Sequence, residues 1–537
     1  MTSLPATASP RWLVPAALLC AVAFIGKAPV IDEESYLWLG SHVSVLRPYD
    51  WHRVWQPWDV DGPSTFEYAH PPLFLWFMAL VRGISTDLRV NRLCCAVPFV
   101  SLYAWGVGRW AARCTVSPGL VGILWLASAT VQLGLQDSLM IDLPAVALVT
   151  AGLALYREGV DEGAGLWRAG ALLGLGLGTK YSMGMVVGLV ILHAAVQAGR
   201  GRLRGWALVA FLAPLLSIPL LGEAAMAVVY GKVHFLHVWA HRHDIASGPL
   251  DQRALGALVR MALLPLPALL LLARPGLTLG GTLGGLVMAT IARPAGIEGG
   301  QFAELAICCA VGGVALARAA ATVFTPAHMR RRDDRDDGLL LGGTVLCVVA
   351  GVTFAHNYAS ARYLLPAAAP LAMLLVRSAE DTLGGRALAQ VSAAVGAVGA
   401  LAFSVADYRF GASGVEVARV AAARVEERRP VEKRFAGEWS FRYTMEALGW
   451  ERYRPGEDLP GGTLVVVADG ESPGDYPRSV WEPVDRIESA DALWLRVMSP
   501  AQGVSLYAET LGALPIGVGD GPLETATVFR VGAGAPR

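Results

Sequence analysis

Charge is what this chain has least of. Only 16% of its 537 residues are Asp, Glu, Lys or Arg, against roughly 25% in an ordinary soluble domain. Acids and bases balance at 44 each, so there is no net positive charge to neutralise phosphates, which excludes nucleic acid as a partner. Lysine is nearly missing, confined to Lys27, Lys180, Lys232 and Lys433, and the basic charge is otherwise arginine. Cysteine is sparse too. All seven lie in or beside apolar segments, none follows Ala406, and no CxxC pair occurs, which argues against a zinc site or a disulfide framework. A nucleotide loop is absent: Gly174, Gly176 and Gly178 lead to Thr179-Lys180 without P-loop spacing, and they are expected to serve close helix packing. No internal repeat is evident, and no inverted pair of interrupted helices suggests a transporter.

Apolar residues fill the space left by charge, at 54% of the chain, with a mean hydropathy of +0.47. Such a composition excludes disorder, and a single soluble core rarely grows past ~300 residues. Apolar runs long enough for a ~30 Å hydrocarbon core make this an α-helical polytopic membrane protein. Hydropathy places about thirteen transmembrane helices, near 13–29, 92–108, 118–136, 141–157, 166–179, 183–198, 205–221, 257–273, 276–292, 301–320, 338–355, 362–377 and 387–405. The first reads as a retained helix, since no small-x-small cleavage site follows it. With the N-terminus in the cytoplasm, Arg109, Arg113, Arg157, Arg168, Arg200, Arg202, Arg204, Arg330–Arg332, Arg335, Arg377 and Arg386 fall in inside loops. The run Arg330–Asp337 then reads as a solvated cytoplasmic loop. High Arg, Ala and Gly with few Lys is the composition of a GC-rich bacterial genome, so the expected location is the bacterial cytoplasmic (inner) membrane.

Two regions leave the bilayer. Residues 1–406 form the expected transmembrane domain, whose outer loop 30–91 is rich in Trp, Tyr, His and Pro and reads as a surface segment with aromatic anchors. Residues 407–537 shift abruptly to charged sequence and are expected to form a small extracytoplasmic α/β domain. Strands are expected at Thr463–Val467, Ala492–Val497, Val504–Ala508 and Thr525–Val531, and helices near Val415–Glu427 and Ser440–Leu448.

The polar residues that interrupt apolar sequence carry the chemistry. Asp32-Glu33-Glu34-Ser35-Tyr36 puts three acids at the end of the first span, where a carboxylate beside lipid can serve as a general base; an acidic helix cap is the alternative. Glu67-Tyr68-Ala69-His70-Pro71-Pro72 fixes an extended entry into an apolar helix, with His70 available to a phosphate or an acceptor. His42, His52 and His70 with Glu33 or Glu67 leave a divalent metal possible, though the spacing matches no ligand pattern; no other cofactor is indicated. Asp137 and Asp142 flank the start of the fourth span, and either can face the cavity of Asp32. Lys180, between two apolar segments, needs an anionic partner. Arg362 in His356–Pro366 can bind phosphate bidentately or reach headgroups. His234, His237, His241 and His243 precede the eighth span, facing substrate or lying along an interfacial helix face.

Taken in order, these pieces resemble the GT-C glycosyltransferases, in particular the bacterial family-39-like group that includes the protein O-mannosyltransferases and the lipid A aminoarabinose transferase. Asp32-Glu33-x-x-Tyr36 resembles the group's Asp-Glu-x-x-Tyr. His70-Pro71-Pro72-Leu73 resembles its His-Pro-Pro-Leu, and Asp142-Leu143-Pro144 its Asp-x-Pro. Thr179-Lys180-Tyr181 is similar to its Lys-Tyr, and Arg362-Tyr363-Leu364-Leu365-Pro366 to its Arg-Tyr-x-x-Pro. Gly437-Glu438-Trp439-Ser440-Phe441-Arg442-Tyr443 resembles a recurrent segment of outer tail domains, with Ser440 in place of a glycine, and the stretch Trp51–Tyr68 lengthens the outer loop. The resemblance implies a GT-C fold and inverting transfer of a hexosyl or pentosyl group from a polyprenyl-phosphate sugar to a lipid, protein or glycan acceptor on the outer face. It implies Asp32 as general base, Lys180 and Arg362 as stabilisers of the leaving phosphate, and Glu33, Tyr36, His70, Asp137, Asp142 and Tyr363 as substrate-binding residues. Two rival expectations remain. One is an inactive relative that binds glycan or scaffolds an assembly. The other is a lipid-linked sugar flippase, which would scatter polar groups at the bilayer midplane rather than gather them at one face.

Overall fold

Each of the thirteen apolar stretches carries a helix, in whole or in part. The computed structural model describes residues 9–43, 70–241, 248–264, 275–294, 296–297, 299–324, 332–356, 358–428, 430–454, 456–470, 481–508 and 510–532. Among the described residues, seven helices are long and apolar enough to cross a membrane, or eight if one bent pair counts as a single span. Among the described residues, hydropathy thus marks more stretches than there are single helices of full spanning length. It registers apolar composition, not the length of unbroken helix, and a span needs about 20 residues. Leu13–Ala23 has 11 residues and Leu166–Thr179 has 14. The stretch 118–136 is two helices, Pro118–Leu126 and Ala129–Gln136, bent by 71°. Ser128 makes the break, its hydroxyl accepting from Val131 N–H at 3.4 Å as an N-cap. The second half of 257–273, the insert Trp51–Tyr68 and Arg330 and Arg331 lie outside the described residues, and the rest of the run to Asp337, expected as a loop, begins helix Arg332–Ala350.

Helix Asp142–Glu162 is the axis of the bundle, with 78% of its apolar window buried. Its ends define two faces. At its C-terminal end Glu158 takes Arg109 at 2.5 Å and Arg113 at 3.3 Å, and Arg157 pairs with Asp337 at 2.6 Å, which also takes Arg377 at 3.4 Å. Asp142 opens the other end, about 24 Å away at 1.5 Å per residue. The arginine-rich end is thus one face of the bundle, and the residues singled out for chemistry gather at the opposite one.

The glycines before Lys180 let backbones meet. A Cβ on Gly174 would stand 2.8 Å from the Pro214 carbonyl oxygen, and one on Gly176 would stand 2.7 Å from a Val149 methyl. At Gly178 the nearest atom would be 3.9 Å away, so that glycine is not required for packing. In the same helix the tightest approach is Gly170, where a Cβ would meet the Phe211 carbonyl oxygen at 2.1 Å.

Helix Gly385–Glu427 runs unbroken for 43 residues, through position 406, where the transmembrane domain is expected to end. At about 65 Å it is long enough to cross a bilayer and project beyond it. Its last turns, with helix Trp439–Ala447, cover one face of a five-stranded sheet. The strand order is Glu451–Arg452, Lys433–Ala436, Leu464–Ala468, Thr525–Val531, Trp481–Glu488, with the first three parallel and the last two joined antiparallel. Leu464–Ala468 is buried along its whole length, as a central strand covered on both faces should be. Of the expected strands, Thr463–Val467 and Thr525–Val531 form. Ala492–Val497 and Val504–Ala508 shrink to the two-residue ladders Leu495–Arg496 and Val504–Ser505. Trp481–Glu488 is an added edge strand. Its Pro483 and interspersed charges hide it from an apolar pattern and suit an edge.

Candidate active site

Four segments distant in sequence meet at the face opposite the arginine-rich end. Asp32 stands immediately before helix Glu33–His42, after an unusual backbone turn: Ile31 has φ of 55°, a conformation that a β-branched residue adopts only under constraint. Asp142 is the first residue of its helix, where the unpaired N–H groups favour an acid. Lys180 follows helix Leu166–Thr179 in an extended conformation that breaks the helix and turns the side chain inward. Arg362 lies in the 3-10 turn Ala361–Leu364, between the span ending at Ala355 and helix Leu365–Glu380.

Their charged ends form a chain. The Lys180 ammonium donates to Asp142 Oδ1 at 2.6 Å. Asp142 Oδ2 lies 3.9 Å from Arg362 Nε, too far for a hydrogen bond, and both of those buried atoms lack a hydrogen-bond partner. Arg362 Nη2 donates to Asp32 Oδ2 at 3.0 Å and to the Tyr358 hydroxyl at 3.1 Å. Exposure rises along the chain: side chains of Lys180, Asp142 and Arg362 are 2%, 5% and 11% exposed, and Asp32 is 36% exposed. Arg362, Asp142 and Asp137 border a cavity that Ile31 and Met140 also line. Orphaned donor and acceptor atoms beside an empty space are what a polar ligand would satisfy.

Tyr363 holds the cations in place. Lys180 Nζ stands 4.4 Å from its ring centroid and the Arg362 guanidinium carbon 5.2 Å. His356 stacks on it at 4.1 Å. Burial and the Lys180 charge push His356 down to about 3 and hold His70 well below its usual value, with Arg362 adding to both. Both imidazoles are therefore neutral, able to accept from or donate to a substrate without adding charge.

Three of the expected substrate-binding residues have partners outside the chain of charges from Lys180 to Asp32. Glu33 is spent on Arg92, at 2.6 Å, and also accepts from Val30 N–H at 3.3 Å. Tyr36 packs edge-on against Phe74, with ring centroids 5.3 Å apart. Asp137 reaches the cavity but pairs with Lys27, which also pairs with Asp407; Asp407 in turn accepts from the Tyr507 hydroxyl. Sequence reasoning missed Lys27, Arg92 and Asp407, although each is a charge embedded in apolar sequence, the signal that revealed Lys180. Glu34, the third of the consecutive acids, faces the tail: its Oε1 lies 4.0 Å from Arg442. Burial raises the Glu34 carboxyl to about 7, opposed by Arg442 and reinforced by Asp32.

Among the described residues no group of three or more His, Cys, Asp or Glu is placed to hold a metal ion. His42 bonds the Trp38 carbonyl at 2.8 Å and stacks on that ring, and His52 and Glu67 lie outside the described residues, as does His243. His234 meets the Tyr181 hydroxyl at 2.6 Å, and Tyr181 also donates to Glu223.

No family model matches the chain, and no curated protein does. Among solved structures, ArnT from Cupriavidus metallidurans bound to undecaprenyl phosphate is similar at 14% identity and a TM-score of 0.42, over 88% of this chain and 95% of that chain. The same protein in the apo state gives 14% identity and a TM-score of 0.40 over the same shares. A likeness of this size assigns the chain to no family.

Proposed function

We propose that the protein is an integral membrane glycosyltransferase of the GT-C type, moving a sugar from a polyprenyl-phosphate donor to an acceptor on the outer face of the cytoplasmic membrane. The observation that carries this is the convergence of Asp32, Asp142, Lys180 and Arg362 from four separate segments into one chain of charges, beside a cavity that Asp142 and Arg362 line. The opposite end of the bundle is rich in arginine, which suits a cytoplasmic side and leaves the site on the outer side.

In this reading the donor phosphate lies deep, against Lys180 and Arg362, and the acceptor enters at the exposed carboxylate of Asp32. The acceptor hydroxyl gives its proton to Asp32 as its oxygen bonds the anomeric carbon. The bond from that carbon to the phosphate oxygen breaks on the opposite side, inverting the centre, and the electron pair leaves with the polyprenyl phosphate. Two preorganised cations at the departing oxygen supply the electrostatic stabilisation on which such transfers depend, and Arg362 offers a planar, two-donor fit to phosphate. His70 and Tyr363 border the sugar.

The test is transfer in reconstituted membranes. Purified protein receives radiolabelled polyprenyl-phosphate monosaccharides and an envelope extract, beside an Asp32→Asn control. Label leaving the lipid for a new product, in the wild type alone, supports the reading. No transfer from any donor, together with an Asp32→Asn variant that still complements a deletion strain, overturns it in favour of a scaffold.

A further inference from the structure

The tail does not merely stand above the bundle. Leu506 and Tyr507 line the same cavity as Asp142 and Arg362. The Leu506 carbonyl accepts from the Ala361 N–H at 3.2 Å, one residue before Arg362. Arg260, fully buried, fixes the same segment from the other side: its Nη2 donates to the Ser505 carbonyl at 2.5 Å and to the Gly512 carbonyl at 3.0 Å. The Tyr507 hydroxyl donates to Asp407, which shares Lys27 with Asp137 on the cavity wall. The tail motif noted in the sequence braces this arrangement. Trp439, held at φ of 56°, packs edge-on against Tyr507 with ring centroids 5.8 Å apart and against Phe410 at 6.0 Å.

From this geometry we infer that segment 504–508 of the C-terminal domain is part of the active site, forming a wall of its cavity and positioning Arg362 for the donor phosphate. Leu506 and Tyr507 act through Arg362 and Asp137, as positioning residues. The turn that carries Arg362 is short and has few bonds of its own, so an external acceptor on its first N–H sets where the guanidinium points. The inference rests on the proposed reading of Arg362 as a phosphate ligand, and the experiment separates the two.

Ala361→Pro is the informative variant. Ser360 is extended, at φ of −128° and ψ of 147°, the conformation a following proline favours, and a first helical position tolerates proline. The substitution deletes the N–H and puts a ring carbon where the hydrogen was, pushing the Leu506 carbonyl away. Full-length protein in detergent is titrated with a fluorescent polyprenyl phosphate, and donor and acceptor KM are measured separately. Arg362→Lys should weaken lipid-phosphate binding about tenfold or more. Ala361→Pro should weaken it by about as much, raise the donor KM and spare the acceptor KM. The double variant should bind no more than about twofold worse than Arg362→Lys alone, because both changes remove one interaction. Tyr507→Phe, which loses only a hydroxyl, should weaken binding about threefold at unchanged melting temperature, and decides the matter if Ala361→Pro fails to assemble. If Arg362→Lys binds normally, the phosphate reading of Arg362 fails. If Arg362→Lys is weakened while Ala361→Pro and Tyr507→Phe bind as wild type, the positioning role fails. It fails equally if their losses merely follow a fall in melting temperature.

Discussion

Asp32 and Arg362 are separated by 330 residues in sequence and by 3.0 Å in space. The carboxylate oxygen that would take a proton is occupied by the guanidinium that would bind the phosphate. One cation thus has two claimants. A donor phosphate that draws Arg362 toward itself frees Asp32 for the acceptor, so the donor should bind first. Initial-rate kinetics should show an ordered mechanism, with donor analogues competitive against donor and acceptor analogues uncompetitive against donor. Asp32→Asn should lower kcat by about 10² to 10⁴-fold, the usual contribution of a general base, while donor binding stays within a few-fold.

Asp142 and Lys180 form a buried pair at 2.6 Å. Removing one member leaves the other charged and unpaired, which costs about 3–5 kcal/mol. Asp142→Asn and Lys180→Met should therefore each lower the melting temperature, and the double variant should recover much of the loss without recovering transfer. Thermal unfolding in detergent and a transfer assay on the same preparations check this.

Lys27 is fully buried between Asp137 and Asp407. Lys27→Met should be more damaging than any single surface change, since it leaves two carboxylates without a counter-charge. Adding Asp137→Asn and Asp407→Asn to Lys27→Met should restore folded yield. Size-exclusion profiles of the single and triple variants are the measurement.

Close helix contact predicts a contrast among glycines. Gly170→Ala places a methyl 2.1 Å from the Phe211 carbonyl oxygen, whereas Gly178→Ala meets nothing nearer than 3.9 Å. The first should push apart helices Leu166–Thr179 and Gly205–Tyr230 and lower melting temperature sharply. The second should melt as wild type.

Glu524, in the tail, has its carboxyl raised to about 7, chiefly by burial; the N–H groups of Gly470 and Thr525, each at 2.8 Å, oppose the rise and Asp469 adds to it. Between its ordinary value near 4.5 and about 7 the folded tail keeps a proton that the unfolded chain has lost. The stabilising contribution is full below the lower value and is lost as pH rises to the upper one. Glu524→Gln retains an acceptor oxygen for both N–H groups and removes the titration. Its melting temperature at pH 8 should exceed that of wild type by several degrees, and the slope of stability between pH 5 and 7 should flatten.

The sequence discloses the charged members of the site because a charge in apolar sequence is conspicuous. Asp32, Asp142, Lys180 and Arg362 were legible for that reason, and so in principle were Lys27, Arg92 and Asp407. Direction is harder to read. Asp32 and Glu33 are neighbours in sequence, yet one faces Arg362 and the other Arg92, because successive residues at a helix start point about 100° apart. Tyr507 had no signal at all: it lies in the loop after the two-residue strand Val504–Ser505, whose position depends on Arg260, far away in the chain. Helix identity was legible from apolar content, whereas helix length was not, since a single break such as Lys180 divides one long run into two.

The clasp between Leu506 and Ala361 also has a consequence for biogenesis. Residues 504–508 follow the helices of the bundle in synthesis, and they can dock only once they reach the face that bears Arg362. Until then the turn bearing Arg362 lacks its anchor and the cavity lacks a wall. The cavity of a nascent chain therefore takes its final shape only after the segment that follows the bundle has docked.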